Sequence, residues 1–598
     1  MRIVPEALRL APGVSVGRIN AANTALTARG FNDVSANKLL ALVDGRTVYA
    51  PLFAGVSWRT VGVVMPDLER IEVIRGPGSA SWGANAVNGV INITSKSAHH
   101  TLGNLVTVGL GDHLERIGTV RSGFMVNPTV AGRIYAQSSR LGAFDNGDRS
   151  TGSALDTTLA GFRVDGASGQ DRKWTLAGQW QETSLNDRLP KFFLTSPYIV
   201  PFEGEDTTRQ GYLRARYQQQ LDDKTELTVQ SFVDEIENSH NVYHERRLLI
   251  DLDATLRTSA LGENHDLVAG AAVRHDRDRL FSDEQVDFTE ASMKTWLYSA
   301  FVQDEITLVP NHLTTTLGTK VEHNAFTGWE VQPSVRAAWQ EPGQWMVWGA
   351  VSRAVRTPGR GEADFKLRPL VIPPNPRNPL PTQIQMRGDG HFDSETLVAW
   401  EIGSRFNLRE NLSIDVTAFY NEYDKLRSFE PQAPEVSFTP VPHVTMASVI
   451  GNGLAGDTVG AEVSIMWQPR RSWNLQASYA TIEFDLQNQS TSFDQSTARE
   501  ISSATPDHEL KLVSQFQLNQ HWQFDTFVRY QTELQNGLIP AYLGLNIRIG
   551  WHPSSAWEFE LIGQDLLQAS HPEYPVSFVT RDLQEVPRAV QFKTTYRF

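Results

Sequence analysis

The chain contains no cysteine, which removes thiolate metal ligands, a cysteine nucleophile and a disulfide framework together. It is also short of positive charge, since 54 Lys and Arg against 68 Asp and Glu leave a formal net charge of −14. No nucleic-acid partner is expected, because proteins that bind one concentrate Lys and Arg on a single face. No stretch approaches the ~18 consecutive apolar residues of a membrane-spanning helix. Hydrophobic residues make up only 40% of the 598, somewhat under the ~45–50% of soluble globular domains. Aromatic residues nevertheless reach 10%, with 15 Trp, 14 Tyr and 28 Phe.

A polar average, many aromatics and no long apolar run suit one membrane class, the outer-membrane β-barrel, whose strands show lipid only every second side chain. The test is period-two alternation, because neighbouring side chains on a strand point to opposite faces. From Leu412 one face reads Leu412, Ile414, Val416, Ala418, Tyr420, against Ser413, Asp415, Thr417, Phe419, Asn421. From Trp522 it reads Trp522, Phe524, Thr526, Val528, Tyr530, and from Leu543 it reads Leu543, Leu545, Ile547, Ile549, Trp551. A soluble sandwich or propeller also alternates, but only a bilayer interface favours aromatics gathered at the ends of the apolar face. The last segment places Val590, Phe592, Thr594, Tyr596 and Phe598 on one face and ends the chain on an aromatic.

The first hundred residues differ. Short apolar runs, Leu39 to Val43 and Val61 to Met65, are broken by glycine-rich turns, as in a small α/β globule. A helix is expected over Pro5 to Leu10, with Pro5 in the first turn and Pro12-Gly13 stopping it. Composition shifts near Lys96 to His100, so the chain divides into residues 1–100 and residues 101–598.

Four motifs occur in register in the first part: Arg29-Gly30-Phe31, Val43-Asp44-Gly45-Arg46, Ile74-Arg75-Gly76-Pro77 and Trp82-Gly83-Ala84-Asn85 running on to Asn88-Gly89-Val90-Ile91-Asn92-Ile93. Four others follow: Phe301-Val302-Gln303-Asp304-Glu305, Val351-Ser352-Arg353-Ala354-Val355-Arg356-Thr357-Pro358, Trp400-Glu401-Ile402-Gly403 and Val459-Gly460-Ala461-Glu462. Together they resemble the plug and barrel landmarks of TonB-dependent outer-membrane receptors, from Pro5 to Phe598.

The resemblance implies an all-β membrane protein, a 22-stranded antiparallel transmembrane β-barrel with an N-terminal α/β plug inside its lumen. The arithmetic agrees, since 598 − 100 leaves 498 residues, or about 22–23 per strand with its connection. Long external loops are expected over Glu182 to Arg209, Arg360 to Asp393 and Arg427 to Asn452. Implied too are location in the bacterial outer membrane, a monomer, and active uptake of a scarce nutrient energised by the TonB–ExbB–ExbD complex. The ligand expected is a ferric siderophore or another iron complex, with cobalamin, haem or another metal chelate open. The haem receptors' histidine loop motif is not intact near Arg353 to Arg360. A passive or signalling barrel, or a nonfunctional truncated copy, is the alternative. Further partners implied are outer-membrane lipid, lipopolysaccharide and the barrel assembly machinery, which reads Phe598 as an insertion signal.

In this family two plug arginines pair with two barrel glutamates, and Arg29, Arg75, Glu401 and Glu462 stand at the matching places. Guanidinium forks suit carboxylates, and alternation puts Glu462 with Ser464 and Met466 on the lumen face. Plug loops that present the ligand correspond to Arg18, Asn20, Asn32, Asn37, Tyr49, Phe53 and Trp58, with aromatics for stacking and Arg18 for an anion. Most plug glycines suit tight turns.

Other signals carry no chemistry. No catalytic arrangement is seen, and neither a cofactor nor a metal site is expected. Gly451-Asn452-Gly453-Leu454-Ala455-Gly456 fits a dinucleotide fingerprint only formally and is expected to be a loop end, because no helix follows. His99-His100 has no carboxylate cluster, and Glu203, Glu205 and Asp206 lack EF-hand spacing. Met1-Arg2-Ile3-Val4-Pro5 begins inside what resembles the plug, without signal peptide or coupling motif, so a missing beginning is expected.

Overall fold

The computed structural model describes residues 3–144, 154–188, 190–576 and 583–598. The expected start at Met1-Arg2 and part of the expected loop from Glu182, at Leu189, lie outside the described residues. Alternating segments become the strands of a closed barrel, in which each strand pairs with the next through antiparallel ladders. Twenty-two strands run up the wall, and four short ones, Val286–Phe288, Phe365–Ile372, Thr382–Arg387 and Glu435–Ser437, join the sheet at one rim. The seam pairs Ala589–Arg597 with Gly103–Gly111, so that Thr594 faces Val108 and Arg597 faces Leu105.

One rim carries tight turns such as Asn127 to Val130 and Asp222 to Thr225, along with Phe598. Short connections mark the periplasmic side of such barrels and long ones the outside. Every second side chain faces out, and Leu213, Val302, Val335, Ile402 and Val459 are exposed there. Trp345, Trp522, Trp551, Trp557 and Phe598 are exposed near the short-turn rim, and Trp296, Tyr298 and Trp329 near the other. These two belts match the interfacial girdles of a bilayer-spanning barrel. No described helix is long and apolar enough to cross a membrane.

The first part folds into a stopper inside this wall. Its mixed sheet runs Arg46–Thr47, Leu39–Val43, Gly89–Ser95, Leu68–Arg75, with the central pair parallel. A separate hairpin joins Val14–Arg18 to Thr24–Ala28. Leu26, Leu39, Ala41, Ile91 and Ile93 are fully buried and form its core with Trp58. A barrel of this width leaves an open channel unless filled, so burying these residues also closes the bore.

Several expectations are corrected. The first helix is Val4–Leu8, not Pro5 to Leu10, with Arg9 its C-cap, still αR and donating its N–H to the Pro5 carbonyl; the Arg9 guanidinium reaches the Val16 carbonyl and Glu573. The expected loops are largely ordered. Arg172–Arg188 and Glu203–Asp222 take both ends of the first, helix Arg360–Asp364 and two strands fill the second, and Leu412–Pro431 with His443–Arg470 crosses most of the third. Hairpins that continue beyond the bilayer are wet on both faces, so their alternation fades and they read as polar loops. Gly451 to Gly456 is likewise interior to His443–Arg470 and not a loop end. Gly456 sits at φ +149°, and a Cβ there would lie 2.1 Å from the Asp485 carbonyl oxygen. Glu205 and Asp206 are consecutive on one strand and point to opposite faces, while His99 and His100 are exposed in a short 3-10 turn.

Candidate functional site: the plug–wall contacts

Inside the lumen, strand parity turns Glu401 inward between Trp400 and Ile402, both exposed outside. Glu462 points inward from the strand two places on, two registers of which pair with Leu412–Pro431. The plug brings two arginines to them. Arg29 Nη1 donates to Glu401 Oε1 at 2.6 Å and its Nε to Glu462 Oε1 at 3.5 Å, while Arg75 Nη1 lies 2.8 Å from Glu462 Oε2. Arg29 also lies over the Phe419 ring, 4.4 Å from its centroid. The four residues named from the sequence thus form one cluster.

The backbone explains the surrounding motif letters. Arg29, Gly30 and Phe31 are all left-handed, with φ of 53°, 88° and 57°, a region that non-glycine residues enter at a cost. Wall contacts hold them there. Phe31 packs on Tyr423 and Phe484 at 4.7 and 5.5 Å, and Asn88 donates to the Arg29 carbonyl while accepting from the Tyr423 hydroxyl. At Gly76, φ +84°, a Cβ would stand 2.5 Å from both Arg29 Nη1 and Glu401 Oε1. The Arg-Gly-Pro glycine therefore leaves room for the ion pair.

A second cluster, unforeseen from the sequence, lies nearer the outer rim. Lys38 of the plug pairs with Glu395 at the start of Glu395–Arg409. Arg356, with no exposed surface, reaches Glu395 Oε2 at 2.8 Å and Glu362 Oε2 at 2.6 Å. Glu362 belongs to the rim helix Arg360–Asp364, and Arg427 bridges it at 3.3 Å to plug Asp33 at 3.5 Å. Burial pushes the Lys38 ammonium below its ordinary value, and Glu395 restores only part of that shift. Parity was the available signal, since Ser352, Ala354 and Arg356 share the inward face.

A third contact holds the plug's first turn. Glu573, from the segment between the last two wall strands, accepts from Arg9 at 2.6 Å, Arg529 at 2.7 Å and the Arg18 backbone N–H at 2.9 Å. Burial raises a carboxyl, but Arg9 and Arg529 outweigh it and hold Glu573 well below the usual range. Asp565, His571 and Glu573 place ligand atoms within 4.8 Å of one another. Arg529 bonds both carboxylates, so that group is already neutralised by arginine.

The ligand-contact candidates are mostly turned into these joints. Arg18 is buried with its guanidinium 4.5 Å from the Phe144 ring centroid. Asn20 accepts from the Ala22 and Asn23 N–H groups, Asn32 donates to the Ala504 carbonyl, and the buried Asn37 accepts from the Tyr49 hydroxyl through its carbonyl. Trp58 is buried in the plug core. Phe53 is 41% exposed and meets Tyr243 edge-on, with ring centroids 5.7 Å apart. Close by, a cavity of about 370 Å³ opens at the outer rim, lined by His240, Tyr243, His244, Phe281, Asp283 and Glu284. His240 stacks on Tyr243 and lies 3.0 Å from Asp206. Phe598 lies at the opposite end, where its backbone closes the seam on Asn104.

A closed barrel filled by a stopper tied to it through opposed charges defines a gated outer-membrane receptor. Residues 108–566 match the family described as TonB dependent receptor-like, beta-barrel, and residues 2–90 match the TonB-dependent Receptor Plug Domain. The chain belongs to the TonB-dependent receptors of the outer membrane. It is 24% identical over 513 residues to the iron-regulated outer membrane virulence protein of Vibrio cholerae, across 80% of this chain and 72% of that protein. A 115-residue stretch, 19% of this chain and 18% of the relative, is 35% identical to the vitamin B12 transporter BtuB of Vibrio vulnificus. The fold is shared with the siderophore receptor PirA of Acinetobacter baumannii, at TM-score 0.78 and 14% identity over 100% of this chain and 96% of that one. The FrpB iron transporter of Neisseria meningitidis gives TM-score 0.79 and 15% identity, over 100% and 97%.

Proposed function

We propose that this receptor imports a ferric siderophore or closely similar iron chelate across the outer membrane, with TonB–ExbB–ExbD supplying the work that displaces the plug. The observation that carries the reading is the joint itself. A bore filled by a plug held through buried ion pairs, with no disulfide cross-link, is closed at rest yet opens once the plug is moved. Removing one partner from a buried pair costs about 3–5 kcal/mol, so several such pairs resist thermal opening and call for an external energy source. The outer-rim cavity beside Phe53 supports a ligand with planar aromatic groups, which Phe53 and Tyr243 suit by stacking. The iron-linked names of two relatives, an iron-regulated outer membrane protein and an iron transporter, favour iron over cobalamin. A passive barrel is the second reading, and a plug that fills the bore speaks against it. Growth of a knockout strain under iron limitation on single siderophores, cobalamin and haem tests the proposal. A defect on one iron chelate is expected; normal growth on every iron source rejects iron uptake.

A further inference from the structure

Two adjacent wall strands differ from their neighbours in how they meet the plug. Strand Glu203–Asp222 holds it through Arg214 on the Asp44 carbonyl at 2.6 Å, and Thr225–His240 through Asp234 on Arg46 at 2.5 Å. Further round, Lys294–Val309 takes the Ser81 hydroxyl on Gln303 at 2.8 Å, and Leu313–Asn324 takes the Ala84 N–H on Glu322 at 2.6 Å. Between these pairs stand Tyr243–Thr258 and His265–Ser282. Among the described residues, no hydrogen bond or ion pair joins either of them to the plug. The plug touches them at their outer end, where Leu52 packs with Tyr243 and Leu280. Below that contact their inward faces are charged and wet. Arg247 pairs with Asp276 at 2.8 Å and Arg274 with Asp251 at 2.7 Å, each pair contained within the wall. Asp253 and Ala272 face each other next below. Arg274 points into the bore, yet its side chain is 31% exposed, so water has room between wall and plug at mid-height.

The outer ends of the same two strands line the cavity of about 370 Å³ at the outer rim. One apolar layer, Leu52 on Tyr243 and Leu280, therefore separates that cavity from the wet strip beneath it. A longer run of wall, from Tyr542–Trp551 across the seam to Gly103–Gly111, also lacks direct bonds to the plug among the described residues, but it is roofed. Its outer connection folds inward, with Glu573 on Arg9 and Tyr574 packed on Ile19 and Ala25. We propose that the gap between plug and wall widens along Tyr243–Thr258 and His265–Ser282, and that the imported chelate descends on this side of the bore. The inference rests on the uptake reading above and adds where the bore opens. Widening here breaks one apolar contact and no ion pair. Widening at either flank leaves the buried Asp234 or Glu322 without its plug partner, which is the costlier event. The paired rungs Arg247–Asp276 and Arg274–Asp251 offer hydrogen bonds to a polar chelate without trapping it by net charge.

Because the chain has no cysteine of its own, single thiols report cleanly. Ala272→Cys stands on the strip. Val513→Cys stands inward and half-buried on His508–Gln517, a strand that Lys511 ties to the Ala11 and Val14 carbonyls. Each is placed in the whole receptor, with and without Arg29→Ala, and treated with a small cationic methanethiosulfonate, modification being followed by intact mass. Heat-modifiable gel migration confirms that each variant holds its barrel. In planar bilayers, the leak admitted by Arg29→Ala is expected to fall at least about fivefold on modification of Ala272→Cys and less than about twofold for Val513→Cys. Uptake of radiolabelled ferric complexes of ferrichrome, ferrioxamine B and enterobactin by cells carrying the native Arg29 should split the same way, with binding to the cells unchanged. An Ala272→Cys thiol that stays unmodified, or equal block in the two variants, overturns the route. Block of the leak at Ala272→Cys in a receptor that imports no iron chelate keeps the route and rejects the iron reading. Import that persists with Ala272→Cys fully modified does the reverse.

Discussion

The two ion clusters that tie plug to wall differ in where their charges originate. In the inner one, both cations come from the plug and both carboxylates from full-height strands, so it joins two rigid bodies and nothing else. In the outer one, the plug gives Lys38, the wall gives Arg356 and Glu395, and the rim helix Arg360–Asp364 gives Glu362. The inner cluster anchors; the outer one also registers where the external loop lies. A displacement of that loop would bear directly on the second cluster, which shares the strand Glu395–Arg409 with Glu401 of the first.

Separating these roles by mutation yields a graded series. Arg29→Ala has the largest expected effect, because Glu401 then loses its one ion-pair partner among the described residues and stays buried. A loss of about 3–5 kcal/mol should appear as a marked rise in single-channel conductance in planar bilayers, and an unchanged trace would deny the cluster its anchoring role. Arg356→Ala comes next, since Glu395 keeps Lys38 and Glu362 keeps Arg427. The expected result is several-fold faster tryptic cleavage at Arg377 or Arg387 without added conductance. Leakage in place of cleavage would merge the two clusters into one. Arg75→Ala ranks third, as its side chain is a quarter exposed and Glu462 retains Arg29. Its conductance rise should fall below that of Arg29→Ala; a larger one would invert their ranking.

The smallest effect concerns pH. Glu573 has its folded value depressed below the ordinary carboxyl range by Arg9 and Arg529, against the upward push of burial. Its stabilisation is therefore fully present above the unfolded value near 4.3 and is lost as pH falls through the folded one. The Tm difference between the native chain and Glu573→Gln should stay flat from about pH 7 to 5 and shrink below about pH 4. A gap that closes by pH 5 would mean that the arginines do not govern this carboxylate.

Much of this architecture was readable beforehand, for reasons that can be traced to particular residues. Period-two alternation marked strands such as Trp522–Gln531 because lipid and lumen impose opposite polarity on adjacent side chains. The same parity turned Glu462 inward, and family motifs marked Arg29, Arg75 and Glu401. No such signal marked Lys38, whose partner Glu395 is 357 positions away and belongs to none of the motifs. Tyr49 was legible as an aromatic for stacking, but nothing in the sequence marked the bond its hydroxyl donates to the Asn37 carbonyl. The rim extensions of His443–Arg470 looked like loop because nothing apolar surrounds a hairpin projecting into water.

The seam has a consequence of its own. Thr107 and Thr595 touch across it although 488 positions separate them, so the sheet keeps two raw edges until nearly the whole wall has been laid down. Unpaired edges invite other chains, and joining such distant strands is slow because loop entropy must be surrendered first. Until that join is made, both edges of the unfinished sheet stay open to pairing with other chains.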